Sequence, residues 1–315
     1  MINLQQSPEI VDWLLTGDVA IRYQTHRDLL NSDQALIDAT QKRIATEGWG
    51  ARLLAQRRPD GHWGHGYYQP KWTSTHYTLL ELKNLGLPVD NSPAADSTVM
   101  LLNECLGSDG GIIYSRDWQN SDVCINGMVL NFGSWFAPHH PTLKALINYL
   151  LAARMNDGGW NCRHHHGATH SSLHTTISVL EGLLEYRRSG GDYKLDFIRA
   201  AEQAAVEFLL EHRLFQSSRT GAVINPQLLL LSWPCRWRYD ILRALDYFQS
   251  AGLPYDDRLK PALDILHKKR RRDGRWPLQN RHPGQTHFEM EQTGQPSRWN
   301  TLRALRVLQA VISKQ

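Results

Sequence analysis

The chain has 315 residues, 41% hydrophobic and 21% charged, with a formal net charge of +4. That apolar content supports a substantial core, and so small a charge on so long a chain is not the electrostatic footprint of a nucleic-acid binder. With no apolar run near the ~18 residues of a membrane span and no basic-then-apolar leader pattern at the start, a cytoplasmic protein without a transmembrane segment is expected.

In chain order the sequence repeats one short pattern six times: Arg22-Tyr23-Gln24-Thr25, Thr75-His76-Tyr77-Thr78, Val123-Cys124-Ile125-Asn126, Leu173-His174-Thr175-Thr176, Arg238-Tyr239-Asp240-Ile241 and Arg298-Trp299-Asn300-Thr301. Each repeat is the length of a helical hairpin with its loops. Amphipathic stretches such as Leu143 to Met155 and Phe197 to Leu210 have the spacing of outer helices burying one face. The tetrads open more uniformly apolar inner helices, expected to begin near residues 22, 75, 122, 172, 237 and 298. Turns echo between them at Asp60-Gly61-His62-Trp63, Asp157-Gly158-Gly159-Trp160 and Asp273-Gly274-Arg275-Trp276, with degraded copies at Asp109-Gly110 and Thr220-Gly221. Asp-Gly turns the chain at little cost, and the Trp can wedge between hairpins. No Pro/Gly/Ser-rich linker divides the repeat, so one domain over residues 1–315 is expected. The first tetrad resembles the last two rather than a polar cap, which predicts closure into a double ring of helices.

The Asp-Gly-x-Trp loops, as in Gln56-Arg57-Arg58-Pro59-Asp60-Gly61-His62-Trp63, resemble the QW repeats of the squalene cyclase and protein prenyltransferase β-subunit superfamily. Asp122-Val123-Cys124 and His174-Thr175-Thr176 resemble the Asp-x-Cys and His-Thr zinc ligands of the prenyltransferase β-subunit. The resemblance implies an all-α fold, the α/α six-hairpin toroid, with zinc held by Asp122, Cys124 and His174. The chain departs from the superfamily in lacking the Asp-x-Asp-Asp motif of the class II cyclases, the nearest stretch being Tyr255-Asp256-Asp257. Nothing in the sequence marks a companion subunit, and no obligatory protein partner is expected.

The residues carry a chemical reading of their own. Asp122 as N-cap and Cys124 in the first turn converge, and the helix N-terminus favours a thiolate there. With His174 they make three ligands and leave a fourth position open, the pattern of a catalytic zinc. His76, one repeat earlier, is either a fourth ligand or, the preferred reading, a proton carrier beside the metal, with Tyr239 in the same cavity; Asp240 would be the acid of a metal-free cyclase, the alternative reading. A competing metal reading uses Cys162-Arg163-His164-His165-His166 and His170; as a loop over the ring mouth, His166 and His170 would instead touch substrate. Arg22, Arg238 and Arg298 sit at helix starts and suit an anion, or else pair with Asp240, Glu289 or Glu291. Tyr23, Trp72, Tyr77 and Trp299 are candidates for an aromatic wall against an isoprenoid or lipid-like small molecule. The four scattered cysteines are expected as core thiols or ligands, not a disulfide frame. The rival from another class is a non-catalytic ring that binds a ligand or a partner protein.

Overall fold

A computed structural model describes residues 8–115 and 117–312. In chain order the helices are α1 (Pro8–Leu15), α2 (Val19–Thr25), α3 (Gln34–Lys42), α4 (Gly48–Leu54), α5 (Thr75–Leu85), α6 (Ser92–Glu104), α7 (Val123–Phe136), α8 (Thr142–Ala152), α9 (Leu173–Arg188), α10 (Leu195–Glu211), α11 (Ile241–Ser250), α12 (Lys260–Lys268) and α13 (Arg298–Ile312). The inner set is α2, α5, α7, α9, α11 and α13, buried nearly all round, while helices such as α6 and α12 bury one stripe. Each inner helix returns through outer ones, so the inner helices run parallel.

The ring closes. Contacts run from α5 through α7, α9 and α11 to α13, and from α13 on to α2. At the seam Arg298 Nε donates to the Trp13 carbonyl at 3.0 Å, and Arg306 Nη1 donates to Gln24 Oε1 at 3.1 Å. Gln24 Nε2 in turn donates to the Asn84 carbonyl at the end of α5, at 2.9 Å. The predicted α/α toroid, a double ring of inner and outer helices, is therefore the observed architecture.

Aspartates set where three inner helices start. Asp18 accepts from Ala20 N at 2.9 Å, Asp122 from Cys124 N at 3.2 Å and Asp240 from Arg243 N at 2.9 Å. The Asp240 cap moves the start of α11 to Ile241, four residues past the expected position, and leaves Trp237, Arg238 and Tyr239 in the preceding loop.

The Asp-Gly-x-Trp turns act alike. Gly61, Gly158 and Gly274 adopt φ of +86°, +96° and +80°, which a side chain would strain. The following Trp63, Trp160 and Trp276 are fully buried, and each indole Nε1 donates at 2.7 Å to a carbonyl ten residues earlier: Leu53, Leu150 and Leu266. Those carbonyls lie in the last turns of α4, α8 and α12, where a helix has no backbone donors left to offer. The Trp backbone N–H groups donate to Thr75, Thr176 and Thr301 at 3.0–3.1 Å, tying each turn to the next inner helix. A two-residue ribbon, Trp276–Pro277 against Pro296–Ser297, was not expected from the sequence.

The ring interior is polar. Arg236–Glu81 (3.2 Å), Arg243–Glu181 (2.6 Å), Lys83–Glu185 (2.8 Å) and Arg303–Asp246 (3.1 Å) stand inside it. No helix among the described residues is long and apolar enough to cross a membrane.

Candidate metal centre at the ring mouth

Two glycines bring the parts of this site together. A Cβ on Gly127 of α7 would lie 2.8 Å from the Ser178 backbone, and one on Gly182 of α9 would lie 2.4 Å from the Gly127 carbonyl oxygen. Only glycine at both positions lets α7 and α9 meet backbone to backbone. The loop entering α9 then lies across the start of α7, pinned by Ser172 N donating to the Trp160 carbonyl at 2.8 Å.

That loop delivers Cys162. Its sulfur accepts from Cys124 N–H at 3.2 Å and from the Thr175 hydroxyl at 3.3 Å, while Cys162 N–H donates to Thr175 Oγ1 at 3.2 Å. The ligand atoms of Asp122, Cys124 and Cys162 all lie within 4.8 Å of one another. A tetrahedral zinc with sulfur at about 2.3 Å needs ligand–ligand edges of roughly 3.5–3.8 Å, within a small side-chain adjustment of this arrangement. All four cysteines are free, so neither thiol is committed to a disulfide.

The helix N-terminus does not make Cys124 a thiolate, as the sequence reading expected. Its thiol is pushed well above the ordinary value, first by the hydrogen bond with Cys162 and then by burial. Deprotonation there calls for a bound cation, which inverts the balance by its own charge.

His174, the third ligand expected, is engaged elsewhere. Its Nδ1 accepts from Tyr239 N–H at 2.8 Å, its ring lies edge-on to Trp237 at 5.3 Å, and burial lowers its pKa to about 4. A neutral imidazole accepting at Nδ1 carries its proton on Nε2, the wrong tautomer for ligation through that nitrogen. Cys162 stands with Asp122 and Cys124 instead. The two metal readings that the sequence set against each other each contribute, the first Asp122 and Cys124, the second Cys162.

Lys71 was missed by sequence reasoning. It sits in the short turn before α5, its Nζ 5.6 Å from the Tyr68 ring, 5.2 Å from Trp72 and 5.4 Å from Trp237. Desolvation lowers its pKa, opposed by the nearby Cys124, Asp122 and Cys162. A lone lysine between two aromatics carries no periodic signal, and only the fold reveals what it faces. Trp72, Tyr77 and Arg238 share this end: Tyr77 OH is 3.4 Å from Tyr68 OH, and the Arg238 guanidinium lies 4.7 Å over Trp237.

The other expected site residues have framework partners. His76 is wholly buried, Nδ1 bonded to Tyr114 OH at 2.7 Å, and desolvation drops its pKa to about 3, far from a proton carrier at neutral pH. Tyr239 OH donates to the Leu214 carbonyl at 2.6 Å. Asp240 accepts from Ser232 N and Oγ and from Arg243 N, so it is a buried cap. Tyr23 OH accepts from Arg27 at 3.1 Å; Arg22 pairs with Glu47 at 3.5 Å. Arg298 lies 4.5 Å over Trp13, at the ring seam. Its backbone N–H, not its guanidinium, meets Glu291, at 2.7 Å. Trp299 stacks on Trp233 at 4.3 Å, and His166 and His170 are exposed.

The closed double ring defines the class of this protein as an α/α toroid. No protein-family model and no curated protein matches the chain. Among solved structures it is similar to a polysaccharide lyase (TM-score 0.54, 12% identity, 98% of each chain covered). It is also similar to a glycosyl hydrolase family 88 protein from Bacteroides vulgatus (TM-score 0.50, 11% identity, 99% of each chain). A third likeness is to the type II terpene cyclase MstE from Scytonema (TM-score 0.47, 16% identity, 95% of this chain and 90% of that one). The first two establish the fold; function has to be argued from the site.

Proposed function

We propose that the chain is a zinc-dependent α/α-toroid enzyme, centred on Asp122, Cys124 and Cys162, that acts on a small, partly apolar, anionic substrate of isoprenoid or lipid-like class. The observation that supports this is the convergence of two thiols and a carboxylate beside a desolvated ammonium walled by aromatic rings. That donor set suits a borderline-soft divalent ion and leaves one tetrahedral position open, as catalytic zinc sites do. Zinc held there would supply a Lewis acid.

The chain's own groups do the rest. Lys71 and Arg238 hold the anionic end of the substrate, and Tyr68, Trp72 and Trp237 take its apolar part. The apolar part belongs at the mouth, because the ring interior carries ion pairs. His174, its tautomer held by the Tyr239 amide, offers Nε2–H as a neutral donor. The Asp240 carboxylate is committed inside its cap, which disfavours the metal-free alternative.

The test is elemental analysis of purified protein. About one zinc per chain is expected, lost in Cys124→Ser and Cys162→Ser and kept in His174→Ala. Lys71→Met should keep zinc and lose turnover of a substrate identified by mass spectrometry of co-purifying small molecules. A metal-free chain from zinc-supplemented cells, or zinc retained in both cysteine variants, overturns the proposal; a lipid-like molecule bound to a metal-free chain would favour the binding ring.

A further inference from the structure

A second polar space opens at the other mouth of the ring. Two adjoining cavities, of about 140 and 400 Å³, share Lys83, Glu185, Arg188 and Arg306 in their walls. These residues lie in the later turns of α5, α9 and α13, and the inner helices run parallel, so this opening faces away from Cys124. The smaller cavity runs inward to the stacked Trp233 and Trp299. By volume it holds about as much as four or five waters, at ~30 Å³ each.

Its walls are over-supplied with positive charge. Arg27, Arg303 and Arg306 share two carboxylates, Asp28 and Asp246. Among the described residues Arg188 donates to the Ser250 hydroxyl and carbonyl and meets no carboxylate. One reading is that these arginines merely neutralise the helix C-termini gathered at this mouth, and Arg188 on the last carbonyl of α11 does so. That reading leaves the deep end unexplained. There Trp233 Nε1, Trp299 Nε1 and Asn131 Oδ1 are buried with no hydrogen-bond partner among the described residues, and all three residues line the same cavity. Trp299 and Asn131 are only 1% and 3% exposed. Native proteins rarely strand buried polar atoms, and two indole donors beneath surplus guanidinium groups match the oxygens of an anion.

We infer that the shaft entered from the mouth opposite the metal centre binds an oxyanion-bearing small molecule, its phosphate or carboxylate group between the arginines and the Trp233 and Trp299 indole N–H groups at its inner end. None of the residues that line this cavity is among the proposed zinc ligands, Lys71 or Arg238, so the inference does not depend on zinc.

Calorimetric titration of the full chain at low chloride, with inorganic phosphate and separately with malonate, tests it. Saturable binding of one anion per chain is expected, and whichever probe binds assigns the group as phosphate or carboxylate. Trp299→Phe and Trp233→Phe keep an aromatic ring in the stack and remove the indole donor together with its fused ring, so each should weaken binding ~10-fold or more. Thermal stabilisation of the wild-type chain by the same anion gives a readout that requires no variant. Failure of both anions to bind or stabilise overturns the inference, as does unchanged affinity in both tryptophan variants. Binding lost in Cys162→Ser but kept in Trp299→Phe overturns it too, by moving the anion to the metal mouth.

Discussion

Replacing Trp160 by Phe isolates the device that joins one hairpin to the next. The indole Nε1 bond to the Leu150 carbonyl, 2.7 Å long and fully buried, disappears and leaves that carbonyl without the donor that ends α8. A buried polar group stripped of its partner costs about 1–3 kcal/mol. The smaller ring forfeits about 1 kcal/mol more, on the order of one buried methylene. The sum is about 2–4 kcal/mol. At ~2.1 cal/mol/K per residue, a chain of 315 residues unfolds with an entropy near 0.66 kcal/mol/K, so the melting temperature should fall by about 3–6 °C. Differential scanning calorimetry reads this directly. Trp63→Phe and Trp276→Phe should give shifts of the same size, because each indole makes the same bond. Trp118→Phe, at a ring that is 36% exposed, should shift the midpoint by less than about 1 °C. Midpoints within a degree of wild type at all three turns, or a loss confined to one, would show that the turns are mere loops.

Thr175→Val removes the hydroxyl that donates to Cys162 sulfur and should weaken zinc ~10–100-fold in a chelator competition; unchanged affinity would deny the threonine a supporting role. His76 has a native pKa of about 3 against an ordinary 6.5, so the unfolded chain takes up its proton first and stability falls as pH drops from about 6.5 toward 3. At pH 5 that loss is about 2 kcal/mol, and urea denaturation of His76→Asn at pH 7 and pH 5 should show it removed; an undiminished pH slope would assign the effect to other groups. Asp246→Asn leaves Arg303 and Arg306 without their shared carboxylate and should cost about 3–5 kcal/mol by the same measurement; a cost below about 1 kcal/mol would mean that solvent already satisfies both arginines.

The fold was legible because a repeat states its own geometry. The period gave the hairpins, the similarity of first and last tetrads gave closure, and the Asp-Gly-x-Trp turns marked where outer helices end. The site was legible only as far as local geometry reaches. Asp122 and Cys124 are two residues apart, and a cap brings them together without help from the fold. Cys162 reaches them only because Gly127 and Gly182 let two helices touch. Equivalence of repeat position also misled. His76, Cys124, His174 and Tyr239 hold the same register, but His76 and Tyr239 are sealed into neighbouring packing while Cys124 meets the loop that carries Cys162. A ring that turns six positions inward does not give them one environment, because the loops above them differ.

Charge gives Lys71 a place in the proposed centre. Asp122, Cys124 and Cys162, fully deprotonated, carry three negative charges, and a divalent ion neutralises two. The remaining charge would sit in a half-buried mouth, where an uncompensated ion is costly. Lys71 is the cation placed to offset it. Its ammonium is desolvated among Tyr68, Trp72 and Trp237, which lowers its pKa, while the three ligand residues pull the same pKa up. Those opposed effects tie lysine and ligands into one electrostatic unit. Burial penalises the ammonium when it stands alone, and the hydrogen bond with Cys162 and burial penalise the Cys124 thiolate. In the proposed centre the ionised lysine and a metal-loaded ligand set would therefore favour each other, and the anionic substrate proposed for it would meet a net charge close to zero.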